Sequence, residues 1–299
     1  MNQHPPFRCG HVAIVGRPNV GKSTLLNRLI GCKLCITSRK PQTTRHRILG
    51  IKTQTDHQVA YVDTPGLHRK APRAINRYMN RMAAGAISDV DVILFLVEAL
   101  RWHSDDNHVL QKLSGSKTPI FAVVNKVDRL ESREALLPYL QELSGRMPFA
   151  EIVPVSARGG DNIERLETLI LDRLPENPPL YPEEQFTDRS VRFLVSEIVR
   201  EKLVARLGQE VPHRLSVEVE SFEEEEGLTR ISAIIWVEEK GQKAIVIGKQ
   251  GDMLKRVGVQ ARKDIEALIG QRVFIKLWVK VKSGWSDDER ALLRLGYGD

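Results

Sequence analysis

No stretch of this sequence is apolar enough to cross a bilayer. Its most apolar run is Val92–Val97 (VILFLV), whereas a spanning helix takes about twenty such residues. The first ten residues, MNQHPPFRCG, hold no apolar segment of the kind a secretory signal needs, so export is not expected. Cysteine is scarce: Cys9, Cys32 and Cys35 are the three present. An odd count with no signal excludes a disulfide framework and points to reduced thiols in the cytoplasm. Cys32-Lys-Leu-Cys35 does match C-x-x-C. A zinc site would want a second ligand pair, and none stands at a recognisable spacing, so two ordinary thiols after a helix are expected. Internal repeats and extended low-complexity tracts are missing too.

What is present is an ordinary globular balance, 41% hydrophobic and 28% charged residues, which excludes disorder as the dominant state. A length of 299 residues fits two domains at roughly one per 150. The formal charge of +7 favours polyanionic partners. Short, β-branched, nearly continuous apolar runs lie at 11–15, 59–62, 92–97, 120–124 and 152–155, with amphipathic stretches such as 23–30 and 73–88 between them. Runs of that kind are strands of a parallel sheet covered on both faces, and the alternation reads as a doubly wound α/β domain over residues 1–175. Prolines 175, 178, 179 and 182 then crowd LPENPPLYPEE. Proline does not propagate helix, so residues 176–190 read as a stiff extended linker. From 191 to 299 the order changes to α-β-β-α-α-β, an α+β domain.

Three constellations carry chemistry in the first domain. Gly16-Arg17-Pro18-Asn19-Val20-Gly21-Lys22-Ser23, followed by Thr24, matches G-x-x-x-x-G-K-[ST] between a strand and a helix. Backbone N–H groups of such a loop point at a β-phosphate, and the helix N-terminus adds its positive dipole end. Lys22 brings a full charge between the β- and γ-phosphates, and Ser23 offers a hydroxyl to Mg²⁺. Asp63-Thr64-Pro65-Gly66 ends the 59–62 strand. There a carboxylate can serve Mg²⁺, and the Gly66 N–H can sense a γ-phosphate. Asn125-Lys126-Val127-Asp128 ends the 120–124 strand. Asp128 can accept from the N1–H and the exocyclic amine of guanine, a paired donor edge that adenine lacks. Ser156-Ala157 is the companion loop near the guanine O6.

In this order on successive strands, the motifs resemble the translation-factor-like GTPases. GRPNVGKS, PQTTRHR and DTPGLH, together with the C-terminal features below, narrow the resemblance to the Era-type bacterial ribosome-assembly GTPases over essentially the whole chain. The resemblance implies GTP/GDP and Mg²⁺ as ligands. It implies a switch loop at Lys40-Pro-Gln-Thr43-Thr44-Arg45, with Thr44 closing on Mg²⁺ and Thr43 as the alternative. Ras-like enzymes orient water with a glutamine after D-x-x-G. Leu67 stands there in this chain, so slow basal turnover is expected. His68 is a substitute base or simply an exposed loop side chain. Some related GTPases with an asparagine at the Asn19 position use K⁺; the alternative is that Asn19 only shapes the loop.

Gly248-Lys249-Gln250-Gly251 stands between helical segments. G-x-x-G there is the signature of KH domains, in which the loop clamps about four nucleotides of RNA backbone. Ile245, Val246 and Ile247 are expected as an apolar floor for bases, with Lys249, Lys255 and Arg256 adding charge. From Lys240 to Lys282 there are eleven Lys/Arg against three Asp/Glu, while Glu218 to Glu239 carries eight Glu against Arg230 alone. A basic surface beside an acidic one is what an RNA groove with a repelling flank looks like. By resemblance the RNA is the 3′ end of 16S rRNA in the 30S subunit, and peripheral association with the cytoplasmic face of the inner membrane and a monomeric state are also implied. The competing readings are a metabolic P-loop kinase, a non-catalytic RNA-binding module, and an RNA-binding GTPase acting on another RNA or in cell-cycle or membrane-linked signalling.

Overall fold

The computed structural model describes residues 6–38, 40, 43–66, 74–85, 89–208, 211–295 and 297. They group into two compact units. The first runs β1 (Arg8–Val15), α1 (Lys22–Ile30), β2 (Ile48–Thr53), β3 (His57–Asp63), α2 (Ala74–Gly85), β4 (Val92–Glu98), α3 (Ser104–Leu113), β5 (Ile120–Asn125), α4 (Leu136–Ser144), β6 (Glu151–Val155) and α5 (Ile163–Leu171). Its sheet has the order β2-β3-β1-β4-β5-β6. β2 is antiparallel to β3 and every other pairing is parallel. All seven residues of β4 are buried, because helices cover both faces of the sheet. The order reverses at β1, where successive crossovers leave to either side. Loops at the carboxyl ends of the flanking strands therefore converge on a crevice, as a doubly wound sheet dictates.

Residues after α5 are strapped to this unit. The Asn177 N–H donates to the Phe7 carbonyl. Leu180 and Tyr181 both donate their N–H to Gln58 Oε1, at 2.8 and 2.9 Å, and Gln58 Nε2 returns a bond to the Tyr181 carbonyl. The Ile51 N–H donates to the Phe186 carbonyl, and the Thr187 hydroxyl donates to Leu49 O. The proline-rich stretch is extended, but it is tied to β1 and β2 by main-chain bonds and to β3 through the Gln58 side chain, ties that its composition does not announce.

The second unit holds α6 (Val191–Arg206), β7 (Leu215–Glu225), β8 (Leu228–Val237), α7 (Lys240–Ile247), α8 (Asp252–Ile269), β9 (Arg272–Val281) and α9 (Glu289–Arg294). β7 pairs antiparallel with β8 and β8 parallel with β9. The parallel pair needs a crossover, which α7 and α8 supply. Val195, Val199 and Leu203 of α6 meet Val257, Ala261 and Ile265 of α8 over the sheet's inner face. This is the α-β-β-α-α-β order of a type II KH domain. Two excursions from the first half of the chain also group with this unit: Ile36–Thr43 and the first turns of α2, to Tyr78. Among the described residues, no helix is long and apolar enough to cross a membrane.

Candidate functional site: a phosphate loop, a base pocket and a G-x-x-G turn

The first chemical feature is the loop between β1 and α1. Gly16 has φ +153°, and a Cβ there would meet the Leu96 carbonyl at 2.7 Å. Gly21 has φ +112°, and its Cβ would fall 2.2 Å from Asn125 Nδ2. Neither position admits a side chain, which is why glycine brackets the loop. Asn19 adopts a left-handed φ of 60° between them. Lys22, the first residue of α1, folds its ammonium back onto the Gly16 and Arg17 carbonyls at 3.0 and 3.1 Å. Burial lowers its pKa to about 8, against the opposing pull of Asp63.

Ser23, Thr44 and Asp63 form a compact oxygen cluster. Ser23 Oγ lies 2.7 Å from Asp63 Oδ2 and 2.7 Å from Thr44 Oγ1. Its single proton goes to the carboxylate, so the Thr44 hydroxyl donates to Ser23. Thr43 turns away and donates its hydroxyl to the Lys40 carbonyl, so Thr44 rather than Thr43 is brought to Ser23. Asp63 is fully buried, and burial raises its pKa while the Lys22 charge and the Ser23 hydroxyl oppose the rise. Its second oxygen, Oδ1, is buried with no hydrogen-bond partner. Hydroxyls plus one carboxylate suit a hard divalent cation that takes its remaining ligands from phosphate and water. Among the described residues there is no group of three or more His, Cys, Asp or Glu that could hold a metal ion. The Thr64 hydroxyl donates to Ile14 O. A Cβ on Gly66 would meet Pro18 at 2.7–3.0 Å, so this glycine lies against the phosphate loop. Leu67 and His68 lie outside the described residues.

The base pocket is organised by Asn125. Its Nδ2 donates to Val20 O, and its Oδ1 accepts from the Lys126 and Ala157 N–H groups. One side chain thus pins the phosphate loop to both base loops. Asp128 accepts from Ser156 Oγ at 2.6 Å, while Ser156 Oγ also accepts from the Gly159 N–H. Val127 opens a short turn after Lys126, whose φ is 71°. A further residue, Glu98 at the end of β4, binds Arg17 at 2.6 Å and Lys126 at 2.9 Å. Burial would raise Glu98, but those two cations hold its carboxyl below the usual range. Sequence motifs do not single out Glu98. Its place at the carboxyl end of a strand, the edge where α/β sites form, is the available signal.

In the second unit α7 ends at Gly248, with φ +75°. Lys249–Gly251 makes one turn, with Gln250 at φ 52°, and α8 begins at Asp252. A Cβ on Gly248 would meet Met253 Cβ at 2.6 Å. Lys249, Gln250, Lys255 and Arg256 line the exposed side of this turn and of the first turns of α8, and Arg256 pairs with Asp252. The expected apolar floor needs correction. Ile245 is exposed, but Val246 is fully buried in the core and has no exposed face to offer a base; Ile247 is partly buried against the same core. The apolar groove beside Gly251 is lined instead by α8 and β9, through Leu254, Val259, Phe274 and Leu277, with Lys255 and Arg262 at its rim. The alternation of β9 is legible in the sequence, but not the side of the strand that borders this groove.

A P-loop with guanine-reading loops on one sheet edge, and a KH fold in the same chain, define an RNA-binding GTPase. Residues 11–126 match the family described as 50S ribosome-binding GTPase, and residues 210–286 match the KH domain family. GTPase Era of Pseudomonas putida (strain W619) is 54% identical over 299 residues, all of both chains. A crystal structure of Era in complex with MgGDPNP and nucleotides 1506–1542 of 16S ribosomal RNA matches with TM-score 0.95 and 37% identity, covering 98% of this chain and 100% of that one. A single-residue variant of Aquifex aeolicus Era bound to GDP.AlF4- matches with the same values. The chain belongs to the Era family of GTPases.

Proposed function

We propose that the chain is a GTP-hydrolysing switch that binds the 3′ end of 16S rRNA through its KH unit during assembly of the small ribosomal subunit. Residues 1–175 act as the G domain and 191–299 as the RNA-binding domain, with 176–190 joining them. Lys22 and the loop Gly16–Ser23 hold the β- and γ-phosphates, and Ser23, Thr44 and Asp63 serve Mg²⁺. The Gly66 N–H senses the γ-phosphate, Asn125 and Asp128 read guanine, and Ser156-Ala157 closes over its O6. The products are GDP and phosphate.

The observation that carries the RNA assignment is the glycine-bracketed turn at 248–251, with exposed Lys249 and Gln250, opening onto a groove that has an apolar wall and a basic rim. The family description for residues 11–126 names the 50S particle, whereas the Era complex holds 16S RNA. We favour 16S, because that likeness extends over the KH unit and the family match stops at residue 126. Crosslinking and sequencing of RNA bound in cells tests it, comparing the wild-type chain with Lys249→Asp/Gln250→Asp. A sharp peak at the 16S 3′ end, lost in the double variant, is expected. A diffuse signal, or a peak elsewhere, would favour the reading in which another RNA is the target.

A further inference from the structure

The inner face of the second unit's sheet is packed by α6 and α8, whereas the outer face of β9 is open to solvent. Along β9, Val273 and Val279 are buried in the core, and Ile275 and Leu277 are partly buried against it. Successive residues of a strand point to opposite faces. Arg272, Phe274, Lys276, Trp278 and Lys280 therefore stand on the outer face, and all five are exposed. Phe274 is 44% and Trp278 55% exposed. Cations flank the rings of this face. Arg230 of β8, opposite Phe274 in the register, lies 5.7 Å from its ring centre, and Lys276 lies 5.8 Å from it. Trp236 of β8 has Lys280 and Lys282 at 5.8 and 6.0 Å. Rings and cations alternating on a flat pleated surface are the chemistry that takes bases and phosphates together.

Charge is sorted across the same face. β7 lies at the far edge of the sheet from β9, and its carboxylates reach the outer face. Glu218 accepts from Trp236 Nε1 at 2.8 Å, Glu220 pairs with Lys280 at 3.6 Å, and Glu223 stands opposite Arg230. Two strand spacings, about 10 Å, separate this acidic row from the basic one. A bilayer that met the β9 cations would bring its anionic headgroups within about one Debye length of the β7 carboxylates, roughly 8 Å in physiological salt. A single nucleic-acid strand is narrow enough to follow β9 alone. The groove beside Gly251 ends at Phe274, so a strand leaving it over the sheet edge arrives on this face. We propose that the outer face of β9 is a second RNA-binding surface, where Phe274 and Trp278 stack bases of single-stranded RNA and Arg272, Lys276 and Lys280 meet its phosphates. The proposal rests on the reading of the G-x-x-G turn as an RNA clamp, and it extends the footprint beyond the four or so nucleotides such a clamp holds.

The test measures binding of the full chain to two end-labelled single-stranded RNAs taken from the 16S 3′ terminus and to phosphatidylglycerol vesicles. One RNA has about five nucleotides, which the clamp alone can hold, and the other about twenty. Phe274 also lines the groove, so it is left intact. Trp278→Ala is expected to weaken the long RNA about tenfold, the loss of one stacked base, and to leave the short RNA within about twofold. Trp278→Phe keeps a stacking ring and is expected to recover most of the loss. Lys276→Ala/Lys280→Ala should reduce the salt slope for the long RNA by about 1.4 log units, at about 0.7 per phosphate, and leave that of the short RNA unchanged. Lys249→Asp/Gln250→Asp should weaken both RNAs. Equal losses for both RNAs in Trp278→Ala, or none in either, overturn the inference. A loss of vesicle binding in Trp278→Ala with the long RNA unaffected assigns the face to a membrane and overturns it too. A silent Trp278→Ala beside an active clamp variant sinks the inference alone. If Lys249→Asp/Gln250→Asp leaves both RNAs unchanged, the clamp reading has failed and the inference built on it falls as well.

Discussion

At the scale of single residues, the nucleotide site is built from groups whose chemistry needs proximity and not mass. Asn125 illustrates it: one amide holds Val20 O, Lys126 N–H and Ala157 N–H together, although the phosphate loop and the base loops lie far apart in sequence. Lys22 gives a pH prediction. Burial lowers its ammonium to about 8, whereas phosphate oxygens restore the counter-charge, so the bound state keeps the proton to higher pH. Nucleotide affinity is therefore expected to be flat below about pH 8 and to fall as pH rises above it. Calorimetry in buffers of different ionisation enthalpy should read proton uptake above that value, and binding without uptake there would refute it. The sign for folding is the reverse. The unfolded chain binds the extra proton between the lowered value and an ordinary lysine's, so this group adds stability as pH rises through that window. The motif residues are readable because phosphate and guanine chemistry demand particular residue types at fixed spacings. Glu98 and Gln58 are not, since periodicity assigns a residue to a face but does not name its partner on another element.

Among elements, the parallel strands are the most legible part, because burial on both faces writes them as unbroken apolar runs. β2 escapes that pattern: ILGIKT begins soon after the switch loop and has too short an apolar run to stand out. α9 escapes it because six residues are too few to establish a helical period. The strap from Asn177 to Asp188 reads as an extended linker, and its attachment is invisible in the sequence because main-chain bonds leave no mark on side-chain choice and no pattern singles out Gln58 as their side-chain partner. Gln58 is its buried fastening, and Gln58→Leu would leave the Leu180 and Tyr181 N–H groups without their acceptor. Both bonds are only part-buried, so each is worth about 0.5–1.5 kcal/mol. The variant is expected to melt several degrees lower and to be cut faster between 176 and 188 in limited proteolysis. An unchanged cleavage pattern would show that the strap is held by its neighbours instead.

For the whole molecule, the +7 charge matters less than its distribution. Eleven cations lie between Lys240 and Lys282, so RNA affinity is expected to fall steeply with salt. The slope in log units is about −0.7 per single-strand phosphate neutralised. Lys249→Ala should reduce it by about one contact, as filter-binding titrations across a salt series would read; an unchanged slope would remove Lys249 from the phosphate path. Apart from β2 and α9, the order of elements in each half is legible from the sequence. The assignment of segments to units is not, since it depends on tertiary packing between stretches far apart along the chain.

That assignment bears on how the chain can be divided. A fragment ending at Asp188 keeps every motif proposed to contact nucleotide, yet it strands Ile36–Thr43 and the first turns of α2 without the helices they group with. A chimera that exchanges C-terminal halves between relatives faces the same difficulty at a single crossover point. Inheritance of the two halves is thus linked, and substitutions along α6 and along residues 37–43 should travel as pairs when such hybrids are recombined and selected for growth.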